Sequence, residues 1–170
     1  EAFSDRPAVV LPSREFVFHN IESSSREYEH RRISVLRDLA AGKKTVIVSV
    51  PALLMATMPP DSMQKATFPI NFSGEYDTDE LVLKLIQAGY RRCMQVEGEG
   101  QFSLRGGILD IFAPGEPNPV RIEFFGTEVD TMSYFDIGSQ RRTRSLEQLV
   151  CLPNMEALPT LAPGGTEGLL

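Results

Sequence analysis

Arginines placed beside glycine turns are the residues best arranged to do chemistry in this chain. Arg91 and Arg92 follow Gly89-Tyr90, Arg105 precedes Gly106-Gly107, and Arg141, Arg142 and Arg144 form a later group. A guanidinium presents five donors in a rigid fork that fits carboxylates and phosphates, so the chemistry on offer is recognition rather than bond-making. If the strand begun by Arg91-Arg92 pairs with Phe102–Arg105 through a turn at Gly98–Gly100, these arginines meet near one end of a sheet. With Ser103 between them and an exposed aromatic at Phe102, such a cluster has the composition favoured at protein–protein hot spots. Solvated strand-end charges are the plain alternative. The later group poses the same choice and could equally touch nucleic-acid phosphates.

Other chemistries find less support. Gly42-Lys43-Lys44-Thr45 resembles the end of a phosphate-binding loop, but Arg37 stands where the loop needs its first glycine, and a helix rather than a strand precedes it. A helix C-cap followed by solvated lysines accounts for it better. Gly98-x-Gly100 and Gly106-Gly107 open no helix and read as hairpin turns, not as a dinucleotide fingerprint. His19 and His30 lack partners at ligand spacing, so no metal site is expected. No Gly-x-Ser-x-Gly elbow is present. The carboxylates Glu97, Glu99, Asp110, Glu123 and Asp130 read as the wet face of a sheet. No catalytic constellation and no cofactor site emerges, and a non-enzymatic chain is expected.

The totals agree with a binding role. With 42% hydrophobic and 24% charged residues, the 170-residue chain can bury a core as one domain or two small ones. A formal charge of −6 argues against nucleic-acid binding as the main activity. Cys93 and Cys151 read as two buried thiols, a cytoplasmic compartment is expected, and no apolar run suits a membrane span. The chain starts Glu1-Ala2-Phe3, which fits a processed protein or a piece of a longer one.

Two kinds of element must position the arginines. The first half reads as α/β. A helix capped at Ser23–Ser25 runs to about Ala41, with Gly42 as its stop. Thr45–Val50 follows as a strand buried on both faces, and a short helix from Pro51 ends at Pro59-Pro60. Leu11–Asn20 supplies at most one more strand. After Ser73–Asp77 the pattern changes. Asp77 and Glu80 have capping-box spacing for a helix with Leu81, Val82, Leu85 and Ile86 on its apolar side. Period-two alternation then marks Phe102–Arg105, Ile108–Phe112, Val120–Phe124, Glu128–Phe135 and Leu149–Leu152, a meander of about five antiparallel strands. The expected fold is α/β with α+β: a partial parallel lobe over residues 1–76, a β-rich module with one helix over 77–158, and a mobile tail over 159–170.

Val96–Phe112, with Gly89–Arg92, Pro119–Gly126, Glu128–Asp130, Phe135-Asp136 and Gln140-Arg141, resembles the UvrB-homology region of bacterial transcription-repair coupling factors, which is related to the excision-repair helicase subunit UvrB. Leu11–Glu15 and Val48–Leu54 resemble the degenerate RecA-like, ATPase-like lobe that precedes that region. The resemblance implies a module that binds UvrA and so recruits nucleotide excision repair to stalled RNA polymerase. It further implies partner contacts at Arg91, Arg92, Phe102, Ser103 and Arg105. Ser103-Leu104-Arg105 stands where UvrB has Arg-x-Arg, so one positive position is missing. RNA polymerase and DNA would be reached only through other parts of a full-length ATP-dependent translocase. A nucleic-acid-binding fragment of a UvrB-like repair helicase, using Arg141, Arg142 and Arg144, is the alternative.

Overall fold

A computed structural model describes residues 7–13, 26–42 and 44–158. The serine caps at 23–25, Lys43 and the tail from residue 159 lie outside the described residues.

The first half builds a β-α-β unit. Strand β1 (Ala8–Leu11) pairs in parallel with β2 (Thr45–Val48), and helix α1 (Glu27–Ala40) connects them. Glu27 and Glu29 in the first turn and Arg37 in the last complement the helix dipole. Gly42 leaves the helix in the left-handed region, φ 64°, as its position predicts. Lys44 turns back to Asp38, Nζ to Oδ2 2.7 Å, so it closes the helix end rather than a phosphate cradle. Burial of β2 on both faces is not what the structure has. Ile47 and Val48 are exposed, because among the described residues β1 is the one strand paired with β2.

Helix α2 (Val50–Leu53) is capped by Ser49 and carries Pro51 in its first turn. The prolines that were to end this segment instead start another helix, α3 (Pro60–Ala66), since a ring-fixed φ and a missing N–H suit a first helical turn. Strand β3 (Phe68–Asn71) follows and pairs antiparallel with β10 (Gln148–Cys151). This pairing corrects the meander, because the Leu149–Leu152 segment joins β3 and not the main sheet. It also ties residues N-terminal to position 77 to the β-rich half.

Helix α4 (Thr78–Gln87) starts where the sequence predicts, with Asp77 Oδ1 accepting from Asp79 N at 2.8 Å and Glu80 N at 3.2 Å. The main sheet is six-stranded, in the order β4 (Arg91–Arg92), β5 (Gln101–Arg105), β6 (Ile108–Phe112), β7 (Val120–Phe125), β8 (Glu128–Phe135), β9 (Arg142–Ser145). Alternation gives it two faces. Leu81, Val82 and Leu85 of α4 pack into one core with Phe102, Leu109, Ile111, Val120 and Ile122 on one face. At roughly 1.5–3 kcal/mol for each large apolar side chain removed from water, this layer is the main source of stability. A second cluster joins Ile33 of α1 to Met63 of α3, Leu152 and Leu158. Two polar contacts seal the same seam: the ion pair of Arg32 Nε with Glu156 Oε1 at 2.9 Å, and His30 Nδ1 at 3.0 Å from Glu99 Oε2. Among the described residues no helix is long and apolar enough to cross a membrane.

Candidate partner-binding site

The expected hairpin between β4 and β5 is absent. The two strands are parallel, with Arg91 in register with Gln101 and Arg92 with Phe102. Residues 93–100 form the crossover, and β5 side chains clamp it. Gln101 Oε1 accepts from Glu97 N at 2.9 Å, and Ser103 Oγ donates to Met94 O at 2.9 Å. Gly100, φ 77°, ends the crossover under the side chain of Asn154, whose Nδ2 donates to Gly89 O at 2.8 Å.

This arrangement redistributes the predicted contacts. Phe102 is 0% exposed, not the open aromatic expected, because its alternation with Ser103 puts it on the core face with Ile111 and α4. Ser103, 1% exposed, is also covered, since its hydroxyl is spent on the crossover loop. The cysteines differ as well: Cys151 is buried, whereas Cys93 is only half-buried, and both are free thiols.

The exposed positive groups that remain are Arg91, Arg92 and Arg105. Arg91 and Arg92 have no ion-pair partner among the described residues. Register separates them. Arg91 shares the polar face with Gln101, Ser103 and Arg105, and Arg92 belongs to the opposite face at the sheet edge. Cys93 lies beside the first set. Burial pushes its thiol above the ordinary value, outweighing the charges of Arg91 and Arg105 that pull it down. Arg91 also lines a cleft of about 760 Å³ between the start of α1 and the module, together with His30, Glu99 and Asn154.

Arg105 is held by a buried carboxylate. Asp110 is 2% exposed on the polar face, and its Oδ2 accepts from Arg105 Nη2 at 3.0 Å. Arg121 grips the same carboxylate with both prongs, Nε to Oδ1 at 2.7 Å and Nη2 to Oδ2 at 2.8 Å. Gln140 Oε1 accepts from Arg121 Nη2 at 2.9 Å, and the guanidinium stacks on Phe135 with 4.4 Å to the ring centroid. The Asp110 hydrogen bond holds the Arg121 proton above its ordinary range, outweighing burial. The side chain of Arg105 nonetheless stays 52% exposed, so it is oriented and still open to a partner. Asp110 is therefore not part of a wet face, and Arg121 and Gln140 belong to the site although their spacing did not single them out. The signal was a carboxylate inside the apolar run Ile108–Phe112, directly opposite an arginine on β7.

Arg142 and Arg144 occupy β9, at the edge of the sheet opposite β4. Arg142 pairs with Glu123 and Arg144 stacks on Tyr134, 5.0 Å to its centroid. Arg141, just before the strand, is exposed. Arg91 and Arg92 are thus separated from this group by the full width of the sheet, and the β9 group has committed much of its charge.

The family model described as the UvrB interaction domain matches residues 68–156, from the start of β3 to just past β10. Transcription-repair-coupling factors are among the similar proteins. That of Bacillus subtilis (strain 168) is 32% identical over 155 residues, covering 91% of this chain and 13% of the relative. That of Myxococcus xanthus is 32% identical over 152 residues, covering 88% and 13%. That of Staphylococcus aureus (strain MRSA252) is 34% identical over 139 residues, covering 81% and 12%. The chain thus spans about an eighth of the length of these curated relatives. Over the helix-backed sheet that carries Arg91, Arg105 and Asp110, the chain belongs to the UvrB interaction domain family.

Proposed function

We propose that this chain is the part of a transcription-repair coupling factor that binds UvrA, recruiting nucleotide excision repair to stalled RNA polymerase. The observation that carries the reading is Arg105, fixed by Asp110 yet half open to solvent, on the same face as Arg91, which has no ion-pair partner among the described residues. Family membership and the relatives' names supply the biological setting. Arg92 contributes from the sheet edge. Phe102 and Ser103 act by positioning, one as the core anchor of β5 and the other as the clamp on the crossover loop. A partner with carboxylates on its surface suits this site, and the contact is charge-assisted and salt-sensitive. ATP-driven translocation and contacts to RNA polymerase and DNA belong to other parts of the longer protein, in the bacterial cytoplasm.

Titrating purified UvrA with the chain at low and at high salt tests the reading. Saturable binding that weakens as salt rises is expected, together with negligible binding of duplex DNA by the chain alone. Binding to DNA but not to UvrA would favour a nucleic-acid role for Arg141, Arg142 and Arg144.

A further inference from the structure

Among the described residues the two most exposed large apolar side chains are Met94, 90% exposed, and Phe125, 82% exposed. Each lies near the end of β5 that carries Arg105: Met94 beside Ser103 and Phe125 beside the β5–β6 turn. Met94 sits in the crossover loop, whose backbone carbonyl is held by Ser103 two residues before Arg105. Phe125 ends β7 beside the turn. Phe124 N donates to Gly107 O at 2.8 Å, which fixes that end of β7 against Gly106-Gly107. Because Phe124 packs against the core, alternation sends Phe125 to the opposite, polar face, the face of Arg91 and Arg105. Met94, Phe125 and Arg105 all stand open to solvent. Together they have the make-up of an interface core, where aromatic, Met and Arg side chains are enriched.

We infer that Phe125 and Met94 are apolar anchors of the partner site, seated near Arg105, and that Phe125 fills the aromatic role that the burial of Phe102 leaves open. The inference rests on the UvrA-binding reading and extends it. The occupant is UvrA, and the surface it offers has an apolar recess for each side chain with carboxylates between them for Arg105 and Arg91. Phe125 protrudes from the paired end of β7 and Met94 from a loop position held by Ser103, and both side chains are mostly in solvent, so truncating them changes little in the fold.

The test measures UvrA binding by the full chain for Phe125→Ser, Met94→Ser and Arg105→Ala, with Leu83→Ser on the exposed side of α4 as a control. Thermal midpoints are recorded for all four. Phe125→Ser should weaken binding about tenfold and Met94→Ser several-fold, with midpoints close to that of the parent chain. The salt dependence of Phe125→Ser should match the parent's, whereas that of Arg105→Ala should be flatter, since only the arginine contributes charge. Leu83→Ser should bind as the parent does. If Arg105→Ala weakens binding while Phe125→Ser and Met94→Ser stay within twofold of the parent, the apolar anchors are refuted and the UvrA reading stands. If the parent chain does not bind UvrA, the underlying reading is the one that fails. A loss as large in Leu83→Ser as in Phe125→Ser would also overturn the assignment.

Discussion

Arg105 and Asp110 face each other across the β5–β6 hairpin, Nη2 to Oδ2 3.0 Å, with the carboxylate buried and half of the arginine side chain in solvent. The pair turns a flexible surface arginine into an oriented one. A second arginine, Arg121, neutralises the carboxylate from the neighbouring strand β7, so Asp110 is satisfied without using up Arg105. Preorganisation of this kind lowers the ordering cost that a long side chain otherwise pays on association.

The network should reveal itself in stability. Asp110→Ala leaves Arg121 without its carboxylate in a mostly buried setting and is expected to cost about 3 kcal/mol or more. Chemical denaturation compared with Arg105→Ala checks it. The Arg105 change removes the more exposed partner and should cost less than about 1 kcal/mol.

Gly100 is expected to tolerate no side chain. A Cβ there would lie 1.8 Å from Asn154 Oδ1, and the residue sits at φ 77°. To make room, Asn154 would have to release Gly89 O, and about 1–2 kcal/mol of backbone strain adds to the lost hydrogen bond. Gly100→Ala should therefore lower stability by about 2–4 kcal/mol in urea unfolding.

The two thiols should separate under labelling. Cys93 is half-buried and Cys151 fully buried, and burial pushes the Cys151 thiol far above its ordinary range. Burial raises the Cys93 thiol as well, but its partial exposure should let a thiol reagent at pH 8 modify it first in the native chain, as mass spectrometry would show. The second should react only as denaturant opens the core.

Acid should loosen the β7–β9 edge. The hydrogen bond from Arg142 holds the Glu123 carboxyl below its ordinary value of 4.5. At Asp38, burial raises the carboxyl, but the bonds from Lys44 and Arg37 outweigh it and bring it below 3.8. A carboxyl whose folded pKa is depressed stabilises the fold above its unfolded value, and that share is lost as pH falls through the folded value. Thermal midpoints should thus decline from about pH 4.5 downward. The deficit of Glu123→Gln relative to the parent chain should shrink over the same range. A constant deficit would contradict the pairing.

Much of this architecture is legible in the residues, and the failures have physical causes. Asp77 and the apolar spacing of Leu81, Val82 and Leu85 announce α4, and the alternation in Val120–Phe124 announces β7. Strand β3 is hidden because it is four residues long, contains Pro69 and finds its partner far away at Gln148–Cys151. The parallel crossing of β4 is equally silent, since Gly98 and Gly100 read as a hairpin turn until the register is known. Phe102 shows the subtler limit. Period two groups it with Leu104 against Ser103 and Arg105, but the choice of wet face needs α4 in place. Asp110 lies inside an apolar run, and only its position opposite Arg121 turns an anomaly into a site.

The central claim is that Arg105, held by Asp110, is a principal contact for UvrA. The most direct test is the dissociation constant of UvrA for the chain and for its Arg105→Ala variant, at one salt concentration and with matched thermal midpoints. A loss of about 2 kcal/mol, roughly thirtyfold, is the predicted result. Equal affinity of the two folded chains would contradict it.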